Sequence, residues 1–323
     1  MAALKSKERW IKFVALDFCP SKSDAGYISQ NQFYSAIVAL QKLVTDNNST
    51  YLTDNGNIET SLDQIVWLDE DKKRLCLLIS QGDSSRSDPS FRNRTTGDKR
   101  EAKRLDGEDP AFSAHLLIDI SVQENNSIKC YGYLEEISGI TPGHITALLR
   151  FLFRKTRVKF TYTRPDHTKY HFYITTNVRV YAIKKLEEQY DETDIESIIF
   201  ERTEPVSELD EDSYVVKGKG RLEVKLEHKP KNFEVLWEWL SKFREKVEQR
   251  RGHYDKMKVR YKADDRNGSF DVTQGKKKDA IEALLAKYNK IFLDNEIKQC
   301  QEIIHKEFVA KINKELDSIL ANK

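Results

Sequence analysis

One stretch, residues 214–262, constrains the fold more than any other, because two charged segments with strand periodicity flank an amphipathic helix. Apolar and charged residues alternate over 221–226 and again over 256–262, the pattern of strands with one buried face. Between them, residues 233–247 place apolar side chains at helical spacing: Phe233, Leu236, Trp237, Leu240 and Val247. The sequence therefore predicts a sheet with a helix packed on one face and Lys and Arg on the opposite face.

Length and patterning predict an α+β protein of two domains built from antiparallel sheets with packed helices. The chain has 323 residues, enough for two full cores. We place the domains at 1–156 and 157–323, with an acidic linker or negative flank at about 187–212. From residue 279 onward, apolar residues recur at helical spacing, which predicts a long C-terminal helical segment.

Smaller signals predict the elements of the first domain. Ser29 and Thr141 stand where helix N-caps are expected, the second followed by Pro142 in the first turn. Strand patterns occupy 11–18, 65–79, 112–120 and 128–134, the second as a hairpin across an acidic turn. Residues 81–110 have no apolar periodicity and predict a long surface loop.

Charge distribution, not total charge, decides which partners are plausible. The formal net charge is only +2, but Lys and Arg cluster on predicted strand faces, in the 81–110 loop and over residues 150–185. Such clusters bind a phosphate backbone without reading bases. The predicted DNA-binding residues are Arg92, Arg94, Lys99, Arg100, Lys103, Arg104, Arg154, Lys155, Arg157, Lys217, Lys219, Arg221, Lys225, Lys256, Lys258 and Arg260.

No established catalytic motif is present, so we expect no enzyme activity, no cofactor and no metal site. The one weak alternative is a metal-dependent nuclease of the PD-(D/E)xK type, with Asp212 and Glu223 as metal-binding carboxylates beside Lys225. A second alternative is a protein-interaction scaffold whose basic faces meet an acidic partner. The four cysteines show no CxxC spacing and are expected to be buried thiols in a reducing compartment.

No targeting or membrane signal is visible. The first ten residues are polar and charged, and no apolar run approaches the roughly 20 residues that a membrane span needs. We therefore expect a cytoplasmic protein that does not insert into a membrane directly.

Residues 126–261 resemble the RexA family of phage-exclusion proteins. The resemblance rests on Ser127-Ile128-Lys129-Cys130-Tyr131-Gly132-Tyr133, on Gly139-Ile140-Thr141 with the helix at Leu148-Leu149-Arg150, and on Gly220-Arg221-Leu222-Glu223-Val224-Lys225-Leu226. The chain departs from the family pattern over 81–110 and 159–212.

The resemblance implies a homodimer that binds double-stranded DNA without sequence specificity and acts in bacterial anti-phage defence. It implies an architecture related to ring-forming RdgC-type DNA binders and, often, a membrane protein partner encoded nearby. The Kiwa-type DNA-binding defence subunit is a neighbouring possibility. By matching position, Arg221, Lys225, Lys258 and Arg260 are the implied backbone contacts, and the dimer would form through the C-terminal helical region or a sheet edge.

Overall fold

The computed structural model describes residues 5–22, 25, 27–120, 123–124, 127–164, 167–181, 186–205, 217–263, 266–272, 277, 280–281 and 288–321. The chain divides into two compact units, unit 1 (Met1–Val180 with Tyr288–Lys323) and unit 2 (Tyr181–Lys287). Both combine antiparallel sheets with helices, which confirms the α+β class.

The elements follow one another in chain order. The strands are β1 (Glu8–Pro20), β2 (Thr50–Thr53), β3 (Ile58–Trp67), β4 (Arg74–Asp83), β5 (Ser90–Arg92), β6 (Lys99–Glu101), β7 (Ala111–Asp119), β8 (Gln123–Glu124), β9 (Ser127–Glu135), β10 (Phe160–Thr163), β11 (Lys169–Phe172), β12 (Ile174–Val180), β13 (Thr193–Pro205), β14 (Lys217–Lys225), β15 (Lys256–Ala263), β16 (Arg266–Asp271) and β17 (Tyr288–Phe292). The helices are α1 (Gln30–Thr45), α2 (Pro142–Lys155), α3 (Leu186–Asp191), α4 (Phe233–Arg251) and α5 (Lys306–Leu320).

Unit 1 is built on an antiparallel sheet in the order β12-β1-β9-β7-β4-β3-β2, with β17 added to β1 and β8 to β9. Its helices begin as the sequence predicts. The Ser29 hydroxyl accepts a hydrogen bond from the Gln32 N–H, and the Gln32 side chain accepts one from the Ser29 N–H, which forms a capping box. The Thr141 hydroxyl accepts from the His144 N–H at the start of α2.

The central strands β1, β4, β7 and β9 are buried on both faces of this sheet, because successive side chains point to opposite sides and each side is covered. One face packs on α1 and α2; its core includes Val14, Leu16, Phe33, Leu77, Leu116, Leu148 and Leu152. The opposite face carries Phe13 and Tyr133, whose rings meet edge-on at 5.2 Å. Helix α5 packs there, against β7, β9 and β17.

A buried polar network fills a gap in the sheet. Strand β9 pairs with β7 only over Leu116–Asp119, so the N–H groups of the preceding residues need other acceptors. The His115 N–H and its ring Nδ1 both bond to Glu135 Oε2, at 3.1 and 2.7 Å. Arg9 Nε donates to Glu135 Oε1 at 2.9 Å, and both side chains are at most 2% exposed. The gap is thus closed by one carboxylate that three donors share.

The same network fastens the segment that precedes α5. Arg9 donates to the carbonyls of Ile297 and Lys298, and the His305 N–H donates to His115 Nε2 at 3.0 Å. Because Nε2 accepts this bond, the His115 ring proton lies on Nδ1 and points to Glu135. The C-terminal segment is therefore hydrogen-bonded to the sheet by side chains from several strands.

Unit 2 is smaller and has a single covered sheet face. The sheet order is β14-β13-β15-β16, all antiparallel. Ile198, Phe200 and Val259 point toward α4 and pack on Leu236 and Leu240. This arrangement of strand, amphipathic helix and strand is the one that residues 214–262 predict, although residues 206–216, including Asp212, lie outside the described residues.

Three predictions about organisation need correction. The division falls at Tyr181, not after residue 156, and the C-terminal segment belongs to unit 1 because β17 pairs with β1. Most of the acidic stretch predicted as a linker is structured as α3 and β13, and β13 is the strand between β14 and β15. Residues 288–292, predicted as helix, form a strand, and the helix spans Lys306–Leu320.

Among the described residues, no helix has both the length and the apolar character required to span a membrane.

Replacing Glu135 by Gln should destabilise unit 1 by about 3–5 kcal/mol, because the change leaves the buried Arg9 guanidinium without a counter-charge. In a background with Phe at Trp237 and Trp239, Trp10 and Trp67 report unit 1 alone during urea unfolding. The control Glu302→Gln, at a side chain 89% exposed, should leave the midpoint unchanged. Equal midpoints for the two variants would contradict the structural role of the network.

Candidate nucleic-acid interfaces

The open face of the unit 2 sheet, here called the outer face, collects one group of predicted DNA-binding residues. Register places Arg221, Glu201 and Lys256 in one row across β14, β13 and β15, and Lys225, Ser197 and Arg260 in another. Lys258 lies between the two rows. Sequence reasoning is therefore right that these residues share a face; the side chains of Lys217 and Lys219 lie outside the described residues.

Carboxylates interleave with the cations of the outer face. The Glu223 carboxylate forms ion pairs with the guanidinium groups of Arg221 at 2.8 Å and Arg260 at 3.5 Å. The Ser197 hydroxyl donates a hydrogen bond to it at 2.8 Å. The Ser197 hydrogen bond, helped by the two arginines, lowers the pKa of Glu223 below its ordinary value, so this carboxylate stays ionised. Glu201 pairs with Lys258 at 3.4 Å.

Carboxylates therefore balance part of the positive charge of the outer face. Lys225, Lys256 and Lys262 are exposed and make no ion pair within the described residues, but Asp194 and Glu196 are exposed on the neighbouring β13. The sequence did not reveal these carboxylates on the sheet, because residues 187–212 were predicted to be a linker. In the structure, Thr193–Pro205 of this stretch form β13, the strand between the basic strands β14 and β15.

The loop at 81–110 holds the second predicted group and is also balanced. It contains a small hairpin of β5 and β6, where Arg100 lies over the ring of Phe91 at 4.8 Å. The sequence of this stretch contains seven basic and seven acidic residues. The exposed cations of the loop are Arg92, Arg94, Lys99 and Lys103. A polyanion that contacts them would also come close to the acidic residues of the same loop, which would repel it.

Arg104, in the same loop, is held in place by the protein. Its guanidinium pairs with Asp88 at 2.8 Å and Asp109 at 3.6 Å and donates to the carbonyls of Ser84 and Arg86. With its donors used within the loop, Arg104 organises the loop backbone and has few donors left for a ligand.

The third predicted group lies at the end of α2 in unit 1 and, within the part of the chain that the structure describes, has no such compensation. Over residues 150–180 the sequence has eight basic residues and a single acid, Asp166, which lies outside the described residues. We define the basic surface by five residues of this stretch that make no ion pair within the described residues: Arg154, Lys155, Arg157, Lys159 and Lys169. Arg154, Lys155 and Arg157 are predicted site residues; Lys159 and Lys169 are added by the structure.

Aromatic rings hold several of these cations in position. The Arg154 guanidinium lies 5.5 Å from the Tyr173 ring and donates to its hydroxyl at 3.1 Å. Lys155 Nζ lies 5.4 Å from the Phe151 ring, and Phe151 in turn contacts Tyr51. Phe151 and Tyr51 were not among the predicted residues. The i, i+3, i+4 spacing of Phe151, Arg154 and Lys155 is a signal that could have found Phe151.

The groups that could perform catalysis are poorly placed for it. The His115–Glu135 pair resembles an acid–base dyad, but both residues are buried and His115 Nε2 is occupied by the His305 N–H. Burial raises the pKa of the Cys76 thiol to about 12, which makes it unreactive at neutral pH. Among the described residues, no three His, Cys, Asp or Glu side chains are arranged to hold a metal ion.

A groove of about 450 Å³ between β3 and α5 is apolar, lined by Val66, Leu68, Val309 and Ala310 among others. Lys306 is its one ionisable lining residue, so it offers no acid–base pair for chemistry.

Comparison with known proteins yields no match to a family model, a curated protein or a solved structure. The resemblance to the RexA family and the Kiwa-type subunit therefore stays a prediction from the sequence.

Replacing Arg104 by Ala should loosen the 81–110 loop, because its two carboxylate partners and two carbonyl partners are lost together. Chymotrypsin, which can cut at the exposed Phe91 and Leu105, should cleave the variant several-fold faster than the unchanged protein. The control Lys103→Ala removes an exposed cation from the same loop and should not change the rate. Equal cleavage of both variants would rule out the organising role.

Proposed function

We propose that the protein binds double-stranded DNA without sequence specificity, through the basic surface of unit 1. The observation that carries the proposal is the set of cations at the end of α2 and in the following hairpin, all exposed except the half-buried Lys155, which have no carboxylate partner within the described residues. A cation already paired with a carboxylate must give up that partner to bind phosphate, whereas these cations do not.

Counterion release supplies the free energy of such binding. Each phosphate that a Lys or Arg neutralises releases condensed ions from the duplex, so affinity arises without contact to bases. No helix-turn-helix or zinc-finger pattern occurs in the sequence, which fits backbone contact better than base readout. Arg154 is supported by the Tyr173 ring, so it loses less conformational freedom on binding.

The outer face of unit 2 has a smaller part in this proposal. Arg221 and Arg260 share Glu223, and Lys258 is paired with Glu201, so phosphate would compete with carboxylates for three of its cations. Lys225, Lys256 and Lys262 remain as weaker, exposed contacts.

The nuclease alternative is disfavoured by the same contacts. A metal-binding carboxylate needs an accessible anionic oxygen, whereas Glu223 lies between two guanidinium groups and a hydroxyl donor. We therefore propose binding without cleavage.

The biological role is proposed from the resemblance alone. It comprises anti-phage defence in the bacterial cytoplasm, a homodimeric state and a membrane protein partner encoded nearby. Backbone binding is compatible with this role, because a defence protein that meets foreign DNA gains from being independent of its sequence.

Reversing three charges on the basic surface should weaken duplex binding on the order of a hundredfold. The variant combines Arg154→Glu, Arg157→Glu and Lys169→Glu, and binding is measured by fluorescence anisotropy with a labelled duplex. The matched control, Lys225→Glu with Lys256→Glu and Lys262→Glu, makes the same change in net charge on the outer face. It should weaken binding by no more than about threefold, because that face already carries carboxylates.

Circular dichroism melting must show that both triple variants are folded. Equal losses in the two would mean that net charge and not the basic surface controls binding. A large loss of affinity confined to the outer-face variant would place the binding site on unit 2. Cleavage of the duplex only in the presence of magnesium would instead support the nuclease alternative.

A further inference from the structure

An exposed aromatic ring lies within the basic surface. Phe151 is 36% exposed although its helix neighbours Leu148, Leu149 and Leu152 are buried in the core. One contact of the ring is to Tyr51, with ring centroids 4.9 Å apart and planes tilted by 35°. The helix does not need Phe151 for its own packing, since the apolar face of α2 is formed by the other residues.

Two cations of the basic surface lie on the same side of the helix as this ring. Phe151, Arg154 and Lys155 stand at i, i+3 and i+4, so they share one side of α2. Lys155 lies over the ring. Arg154 lies over the ring of Tyr173, the residue that connects β11 to β12. A chain of nucleotides that follows this side of the helix would meet both a ring and positive charges within one turn.

The outer face of unit 2 offers a contrast. Its outward positions in the described parts of β13, β14 and β15 hold Lys, Arg, Asp, Glu, Ser and Ile, and the aromatic residues Phe200 and Tyr261 of this sheet point into the core. Stacking of unpaired bases needs exposed rings beside cations. That combination is found at the end of α2.

We propose that the end of α2 binds single-stranded nucleic acid, with an unpaired base stacked on Phe151 and its flanking phosphates held by Arg154, Lys155 and Arg157. A lysine over a ring at an exposed site contributes less than a stacked base. The base therefore displaces Lys155 from the ring, and the released ammonium pairs with phosphate. The inference rests on the proposed function for its phosphate contacts and adds a preference for nucleic acid that contains unpaired bases.

The test compares three labelled probes by anisotropy: a blunt duplex, the same duplex with a single-stranded thymidine tail, and the same duplex with a uridine tail. The tail should tighten binding about fivefold or more, the gain expected from one stacked base. Equal gains from the two tails would assign the site to single strands in general, and a gain from one alone would assign it to DNA or RNA.

Three variants isolate the ring. Phe151→Ala and Phe151→Leu should abolish the gain from the tail, measured in each variant as the ratio of its affinity for the tailed probe to its affinity for the blunt duplex, and Phe151→Trp should preserve that ratio. The control is Phe292→Ala on β17, another exposed phenylalanine beneath a lysine, whose Lys290 is paired with Glu8. This control should leave the affinities for the blunt and the tailed probes unchanged.

The outcomes separate the two proposals. Equal binding of blunt and tailed duplexes by the unchanged protein would overturn the single-strand site and leave duplex binding standing. Binding of the tailed probe without binding of the blunt one would overturn duplex binding and keep the single-strand site. A gain that survives in Phe151→Leu would show that apolar contact, not stacking, is responsible, and would overturn the role of the ring.

Discussion

The two-residue period of the β-strand is the constraint on which both units depend. In unit 1 the central strands are covered on both sides, so the polar groups buried in them must be satisfied internally. Glu135 meets this need by accepting from Arg9, from the His115 ring and from the His115 N–H where β7 and β9 separate. In unit 2 only one side is covered, and the other is left to charged residues that pair with one another across strands.

Charge pairing, more than charge count, decides which basic cluster suits a polyanion. The outer face and the 81–110 loop each contain many Lys and Arg, yet carboxylates lie among them in space or in sequence. The cations of the basic surface have rings beside them and no carboxylate partner within the described residues: Tyr173 supports Arg154, and Phe151 lies beneath Lys155. In the loop the ring of Phe91 lies beneath Arg100, but acids lie nearby in sequence. This difference in neighbours is the physical basis of the proposed function and of the proposed preference for unpaired bases.

Local signals in the sequence predicted local structure well. Ser29 and Thr141 cap the helices expected of them, and α4 with its flanking strands follows the period of its apolar residues. Non-local pairing was not predictable. A bulge at residues 195–197 breaks the alternation of β13, and β17 is a strand only because it meets β1, far away in sequence. Arg154, Lys155 and Arg157 were predicted as site residues. Phe151 was not, because its exposure depends on its packing against Tyr51 of β2, which is distant in sequence.

The most direct test of backbone binding is the salt dependence of affinity for a labelled blunt duplex of about 30 base pairs. If the five cations of the basic surface each neutralise one phosphate, a plot of log affinity against log salt should fall with a slope of about −4 to −5. That slope corresponds to a loss of several hundredfold between about 50 and 200 mM salt. The same slope with and without magnesium, and an intact duplex, are the predicted result. A flat plot, or no binding at the lowest salt, would contradict the account.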